Sequence, residues 1–243
     1  MGFKGENPKS FYKEFLAGLI STLNHYGVPI VGGDTVSSPD SLFFCLTLMG
    51  TTSSGQWLSR EGARPGDLIF CSGPLGDSMA GLLLLKGRRH RPCTFRFKRY
   101  LIKRHLYPNY PHGLGSALLD AQVASSAIDA SDGLSKDLRH ISERSGVACI
   151  IRGSTLPISR PAHHVALMHG MRDHDLVLKG GEDFVLIWTT PKAKLQEARR
   201  VASSILGHPP YEIGYVEEGQ GLYLEDSSGQ RHMVKESGYV HGR

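Results

Sequence analysis

Hydrophobic positions along the chain recur at two spacings. Phe11, Phe15, Leu19 and Leu23 repeat every four residues behind Asn7-Pro8, an N-cap with proline at the first helical position, and Gly27 closes the run. The same helical spacing returns in residues 77–85, 114–122, 134–144 and 192–206, the third of these ending at Gly146. Between them stand short, mainly apolar runs of strand length at 28–31, 42–49, 67–71, 147–151 and 184–189, with further strands at 213–216 and 222–224. Alternation of helix and strand through the second part predicts a layered α/β (α+β) domain rather than a bundle or a barrel. Arg60, Gly62, Ala63, Pro65 and Gly66 make the chain turn-rich, so the boundary falls there and divides 1–60 from 61–243.

Composition narrows the class without choosing a chemistry. At 243 residues, 40% hydrophobic and 21% charged, the chain has the make-up of an ordinary globular protein of one large or two modest domains. No apolar run approaches the roughly 20 residues of a membrane span. Residues 1–13 lack the apolar core of a secretory signal. Cys45, Cys71, Cys93 and Cys149 stand singly, which indicates neither a zinc ribbon nor a disulfide scaffold and points to a reducing cytoplasm. A formal net charge of +5 and a pI near 9.0 favour anionic small molecules and permit nucleic acid without arguing for it.

Candidate chemistry centres on Asp129-Ala130-Ser131-Asp132-Gly133, where an apolar strand runs into a turn and a helix. Two carboxylates crowded this way repel unless a cation sits between them, and magnesium suits them because it takes one or two protein carboxylates and fills its shell with water and phosphate. The alternative is that Asp132 caps the helix 134–144 and Asp129 is a solvated strand end. Gly32-Gly33-Asp34-Thr35 and Gly180-Gly181-Glu182-Asp183 are paired-glycine turns that carry acids, able to approach an anion or simply to turn. Gly50 and Gly55 have the separation of a phosphate-binding Walker loop, but Gln56 stands where lysine is required, so that reading fails. The basic run Lys86, Arg88, Arg89, Arg91, Arg96, Lys98, Arg99, Lys103 and Arg104 reads as a solvated helix face with Phe95, Tyr100 and Leu101 packed inward. An anion patch or a nucleic-acid footprint is the weaker reading. His163-His164 is a poor metal pair, since consecutive helical residues diverge.

Six motifs occur in one order: Gly32-Gly33-Asp34-Thr35, Leu58-Ser59-Arg60-Glu61-Gly62-Ala63-Arg64-Pro65-Gly66-Asp67, Ser72-Gly73-Pro74-Leu75-Gly76-Asp77, Tyr100-Leu101-Ile102-Lys103-Arg104-His105, Ile128 to Leu134, and Gly180 to Asp183. Together they resemble thiamine-monophosphate kinase, a family of the aminoimidazole ribonucleotide synthetase-like superfamily, over residues 11–239. The resemblance implies ATP- and magnesium-dependent transfer of the γ-phosphoryl group directly onto thiamine monophosphate, giving thiamine diphosphate, with no residue acting covalently. By position it makes Asp34, Asp129 and Asp132 magnesium ligands, sets Gly33, Asp34, Arg60 and Ser131 against ATP, and sets Glu182 and Tyr239 against the thiamine moiety. It also implies a homodimer in the full-length family, while the short apolar runs and the solvated reading of the basic stretch lead to the expectation of no membrane and no nucleic-acid partner.

In that family further magnesium aspartates, in Gly-Asp-Asp and Ser-Thr-Asp contexts, precede the first glycine turn, and neither pattern occurs in this sequence. The expectation is therefore a remnant of an N-terminal mixed-sheet domain, residues 1–60, that serves ATP binding and dimerisation, followed by the C-terminal α/β domain, 61–243. Apolar strand surface in residues 2–49 should then be open to water or to another chain. The alternatives are a non-catalytic remnant that binds nucleotide or thiamine phosphate, and a related ATP-dependent synthetase.

Overall fold

The computed structural model describes residues 2–3, 9–52, 55–87 and 93–235. Its contacts divide the chain into two compact units, Met1–Ser54 and Gly55–Arg243.

In the first unit, β1 (Gly2–Phe3) pairs in parallel with β2 (Val36–Ser37) on either side of helix α1 (Lys9–His25) in sequence. The periodic run becomes α1 as expected, and Phe15 stacks on Phe44 with ring centroids 4.0 Å apart. The Asn7-Pro8 cap lies outside the described residues. Gly27 turns the chain with φ 66°, and Val28 N–H donates to the Leu23 carbonyl at 2.9 Å. Residues 28–31 and 42–49 do not form the expected strands; only an isolated bridge at Phe43 interrupts the coil. A strand requires a neighbour to complete its hydrogen-bond ladder, and β-branched composition supplies the propensity without the partner. Apolar side chains there are open: Val31 is 79% exposed and Met49 80%.

The second unit carries the main sheet. Its elements run β3 (Leu68–Cys71), α2 (Asp77–Lys86), α3 (Phe95–Leu106), α4 (Leu114–Asp120), β4 (Ser126–Asp129), α5 (Leu134–Ser145), β5 (Ala148–Arg152), α6 (Arg160–Met168), α7 (Asp173–Lys179), β6 (Leu186–Thr190), α8 (Leu195–Leu206), β7 (Tyr211–Glu217), β8 (Gly221–Glu225) and β9 (Arg231–Met233). The strand order is β4-β6-β3-β7-β5-β8-β9. Every neighbouring pair is antiparallel except β5 with β8. The fold is thus a mixed α/β architecture, with β4 at one edge.

Alternation along β3 explains the layering. Ile69 and Cys71 enter one core with Leu134, Leu138 and Ile141 of α5, while Leu68 and Phe70 enter another with Leu114, Leu118, Trp188 and Val201. Successive strand side chains point to opposite faces, so a sheet covered on both sides needs an unbroken apolar run, as residues 68–71 provide. A third cluster joins α2, α3, α6 and α7 through Ala80, Leu101, Val165 and Leu176. The inward packing expected on α3 holds for Leu101 but not for Phe95, which is 79% exposed. Thr94 caps that helix by accepting from Phe97 N–H, which turns the first apolar position outward. No helix among the described residues is long and apolar enough to cross a membrane.

Candidate active site at the β4–α5 turn

β4 ends on Asp129, and the chain stays tied to the sheet for one more residue, because Ala130 N–H donates to the Val185 carbonyl at 2.8 Å. Ser131 and Asp132 then turn into α5 through Gly133, whose φ of 112° suits only glycine. The helix N-terminus is satisfied by Asp137, not by Asp132: its Oδ2 accepts from Asp132 N–H at 3.2 Å and from Gly133 N–H at 3.1 Å. That removes the capping alternative for Asp132, whose carboxylate is left facing outward and pairs with Lys136 Nζ at 2.6 Å. The half-buried Asp129 carboxylate makes no hydrogen bond or ion pair among the described residues.

The electrostatics of this turn are those of a site short of positive charge. Burial pushes the Asp137 carboxyl up to about 7, and the neighbouring Asp129 and Asp132 carboxylates push the same way against the two N–H donors. Asp137 was not legible as part of the cluster, because its place depends on how α5 docks. Its spacing after Gly133 was the one available signal, an acid in the first turn of a helix.

A second loop is fastened to the first. Glu182 N–H donates to the Ser131 carbonyl at 2.8 Å, and Phe184 N–H to the Ala130 carbonyl at 2.9 Å. The approach is close enough to demand glycine: a Cβ on Gly181 would overlap the Ser131 carbonyl oxygen and lie 3.2 Å from Asp132 Cα. Glu182 and Phe184 both adopt left-handed backbone, φ 65° and 50°, a strained conformation that side chains rarely hold unless the surroundings impose it. Between them the buried Asp183 imposes it. Its Oδ2 accepts from Gly76 N–H at 2.6 Å and its Oδ1 from Ser78 N–H at 3.0 Å, at the start of α2. Burial pushes the Asp183 carboxyl up to about 7 despite these two donors, and Asp77 beside it adds to the rise. Asp77 is itself buried and holds three elements together, accepting from Tyr100 Oη at 2.6 Å and from Ser159 Oγ, with Arg104 Nε 3.8 Å away.

The structure thus brings Asp129, Ser131, Asp132 and Glu182 to one place. Arg60 is not joined to them: its carbonyl accepts from Ser145 Oγ at the C-terminus of α5, while Asp132 precedes the N-terminus of that 12-residue helix, a length on the order of 18 Å. The segment before it runs beside β4, where the Ser59 carbonyl accepts from Ala127 N–H at 2.7 Å. Gly33 and Asp34 belong to the first unit, in a turn where Thr35 N–H donates to Asp34 Oδ1 at 2.7 Å. Tyr239 lies outside the described residues. A cleft of about 750 Å³ opens against Leu178 and Lys179, just before the Gly180-Gly181 turn, and is also lined by Arg172, Leu224, Asp226 and Val234. His163 and His164 are parted: Nδ1 of His163 pairs with Asp173 Oδ2 at 2.7 Å, and the ring of His164 meets the edge of Phe97.

The donor set fits a hard divalent cation only with outside help. Among the described residues no group of three or more His, Cys, Asp or Glu converges to hold an ion. Magnesium is content with one or two carboxylates when water and phosphate complete its shell, and an unpartnered Asp129 beside Asp132 offers that pair.

No family model matches the chain. Among curated proteins, the thiamine-monophosphate kinase of Escherichia coli O157:H7 is 39% identical over 202 residues, which are 83% of this chain and 59% of that protein. The thiamine-monophosphate kinase of Buchnera aphidicola subsp. Acyrthosiphon pisum is 32% identical over 240 residues, 97% of this chain and 71% of its own length. The chain therefore spans about three fifths to seven tenths of the length of these relatives, 59% and 71%. Among solved structures, AaThiL complexed with AMPPCP and TMP superposes with a TM-score of 0.76 at 28% identity, covering 99% of this chain and 71% of that one. The hydrogenase maturation protein HypE of E. coli shares the fold alone, with a TM-score of 0.76 at 20% identity over 96% of this chain and 70% of its own. Sequence identity and fold agree over the same long span, and the chain belongs to the thiamine-monophosphate kinase family.

Proposed function

We infer that the chain phosphorylates thiamine monophosphate to thiamine diphosphate, moving the γ-phosphoryl group of ATP directly onto the substrate phosphate with magnesium as cofactor. One observation carries this reading: three carboxylates, Asp129, Asp132 and Asp137, crowd one turn beside Lys136, with the strained Glu182 loop fastened to it. Such a turn is costly to keep unless a cation or a polyphosphate chemistry uses it. AaThiL was solved complexed with AMPPCP and TMP, and its overlap with this chain supports the same pair of ligands here.

In this reading Asp34, Asp129 and Asp132 hold the metal, Gly33, Arg60 and Ser131 contact ATP, and Glu182 and Tyr239 contact the thiamine moiety. A bound divalent cation would offset phosphate charge while two polyanions approach. The remaining work is positional. The Glu182 carboxylate balances the cationic thiazolium, the backbone of Gly33 approaches phosphate, and Arg60, at the other end of α5, contacts a part of ATP remote from the acidic turn. The acceptor is the substrate's own phosphate, so no side chain becomes covalently modified. The four free cysteines accord with work in a reducing cytoplasm. The open apolar side chains of residues 30–49 accord with association as a homodimer.

Binding without turnover is the second reading, favoured by Lys136, which already sits 2.6 Å from the Asp132 carboxylate that a metal would need. A thiamine-phosphate kinase assay with and without magnesium, run beside Asp132→Ala, separates the two. Metal-dependent product formation that the substitution removes supports the enzyme; calorimetric binding of thiamine monophosphate with no product supports the second reading. Product that forms equally with Asp132→Ala would dismiss the acidic turn as the site.

A further inference from the structure

We propose that the outward face of α3 is a docking surface for an acidic, amphipathic helical segment of a partner protein. Between Asp77 and Asp120 the sequence contains no Asp or Glu, so the helix and its approaches carry positive charge alone. One side of the helix is pinned. Leu101 is fully buried, Tyr100 Oη donates to Asp77, and His105 Nδ1 lies 2.9 Å from Ser78 Oγ. Among the described residues the other side is left open.

Phe95, Ile102 and Leu106 form a seam along that open side, at positions i, i+7 and i+11, and Lys98, Arg99 and Lys103 flank it. These side chains line a shallow groove of about 510 Å³. Phe95 is 79% exposed and Leu106 55%, on a rigid element that the domain already holds by its opposite face. Exposed aromatic and aliphatic groups at helical spacing match the ridge of another helix, and a basic border selects one whose flanks are acidic.

Other occupants fit less well. A second copy meeting this face about a two-fold axis would set cation against cation, which costs several kcal/mol. A single-stranded nucleic acid would find rings at Phe95 and Tyr107 and cations beside them, but it would leave the aliphatic Ile102 and Leu106 between those two rings without an apolar partner. A bilayer could keep Lys98, Arg99 and Lys103 at its headgroups, but it would receive only the three apolar side chains Phe95, Ile102 and Leu106, a small anchor beside the groove's fit to a helix ridge.

The test uses the full chain and a fluorescein-labelled helical peptide of about 15 residues, leucine on one face and glutamate on the others. Parallel arms carry the same peptide with lysine for glutamate, phosphatidylserine vesicles, and a single-stranded oligonucleotide. Fluorescence anisotropy at low salt should show saturable binding of the acidic peptide alone. The double variant Arg99→Glu with Lys103→Glu, and separately Leu106→Ser, should each weaken it about tenfold or more at unchanged melting temperature. No binding of the acidic peptide, equal binding of the lysine peptide, or affinity unchanged in both variants overturns the proposal. Binding of vesicles or oligonucleotide that the variants abolish overturns it too and assigns the face to that class.

Discussion

Gly181→Ala tests whether the two loops of the acidic turn act as one unit. The added Cβ would overlap the Ser131 carbonyl oxygen, and a contact 3.2 Å from Asp132 Cα closes the way round it. Backbone cannot swing aside as a side-chain tip can, so one loop must retreat from the other by about 1 Å, an overpacking cost of about 1–3 kcal/mol. The retreat also stretches the 2.8 Å bond from Glu182 N–H to the Ser131 carbonyl, a further loss of about 1 kcal/mol. Against this stands the usual gain from replacing glycine, only about 0.4–1 kcal/mol. The net is a destabilisation of about 2–3 kcal/mol, a fall in Tm of roughly 4–12 °C for a domain of this size. The control is Gly115→Ala in α4, where the new Cβ meets only Leu58 Cδ1 at 3.9 Å, and the helix should gain about 0.5 kcal/mol. Calorimetric melting and titration with thiamine monophosphate should show both stability and affinity reduced in Gly181→Ala. A variant that melts within about 2 °C of the parent and binds equally would refute the claim that the loops are locked together.

Glu182→Gly should relieve the left-handed backbone at φ 65° and raise stability by about 1 kcal/mol while weakening thiamine-monophosphate binding; urea unfolding and calorimetry on one preparation give both numbers. Asp183→Asn tests the buried carboxyl held at about 7. A folded-state pKa above the unfolded one contributes stability that is complete below about pH 4 and lost as pH rises to about 7, at most about 4 kcal/mol here. The amide does not titrate, so the cost of Asp183→Asn should shrink from pH 4 to pH 7 in urea unfolding; a cost that grows would mean that the two N–H donors outweigh burial. Trp188 is fully buried and stacked on Phe70 at 5.6 Å, yet its indole N–H has no acceptor among the described residues. Trp188→Ala should cost about 3–5 kcal/mol, but Trp188→Phe, which also removes that orphan donor, should stay within about 1 kcal/mol of the parent by chemical denaturation.

Sequence alone determined the elements whose signal is local. Phe11, Phe15, Leu19 and Leu23 specify α1, the periodic run before Gly207 specifies α8, and the apolar run of residues 68–71 specifies a strand buried on both faces. Ordered motifs along one chain also carried the family, and the sequence placed Asp129, Ser131 and Asp132 at a strand-to-helix turn because strand, turn and helix are contiguous there. What the sequence could not determine depends on groups far apart in the chain. The mixed order of the seven strands follows from which edges meet, and residues 28–31 and 42–49 show that strand propensity without a partner stays coil. Asp137 became part of the acidic cluster, and Phe95 part of an open basic face, only through the docking of α5 and α3, which turned one side chain in and the other out. The fastening of Glu182 to Ser131, 51 residues apart in the chain, likewise rests on Asp183 reaching the start of α2. Local propensity is a property of neighbours in sequence; burial, pairing and charge crowding are properties of neighbours in space, and only packing supplies those.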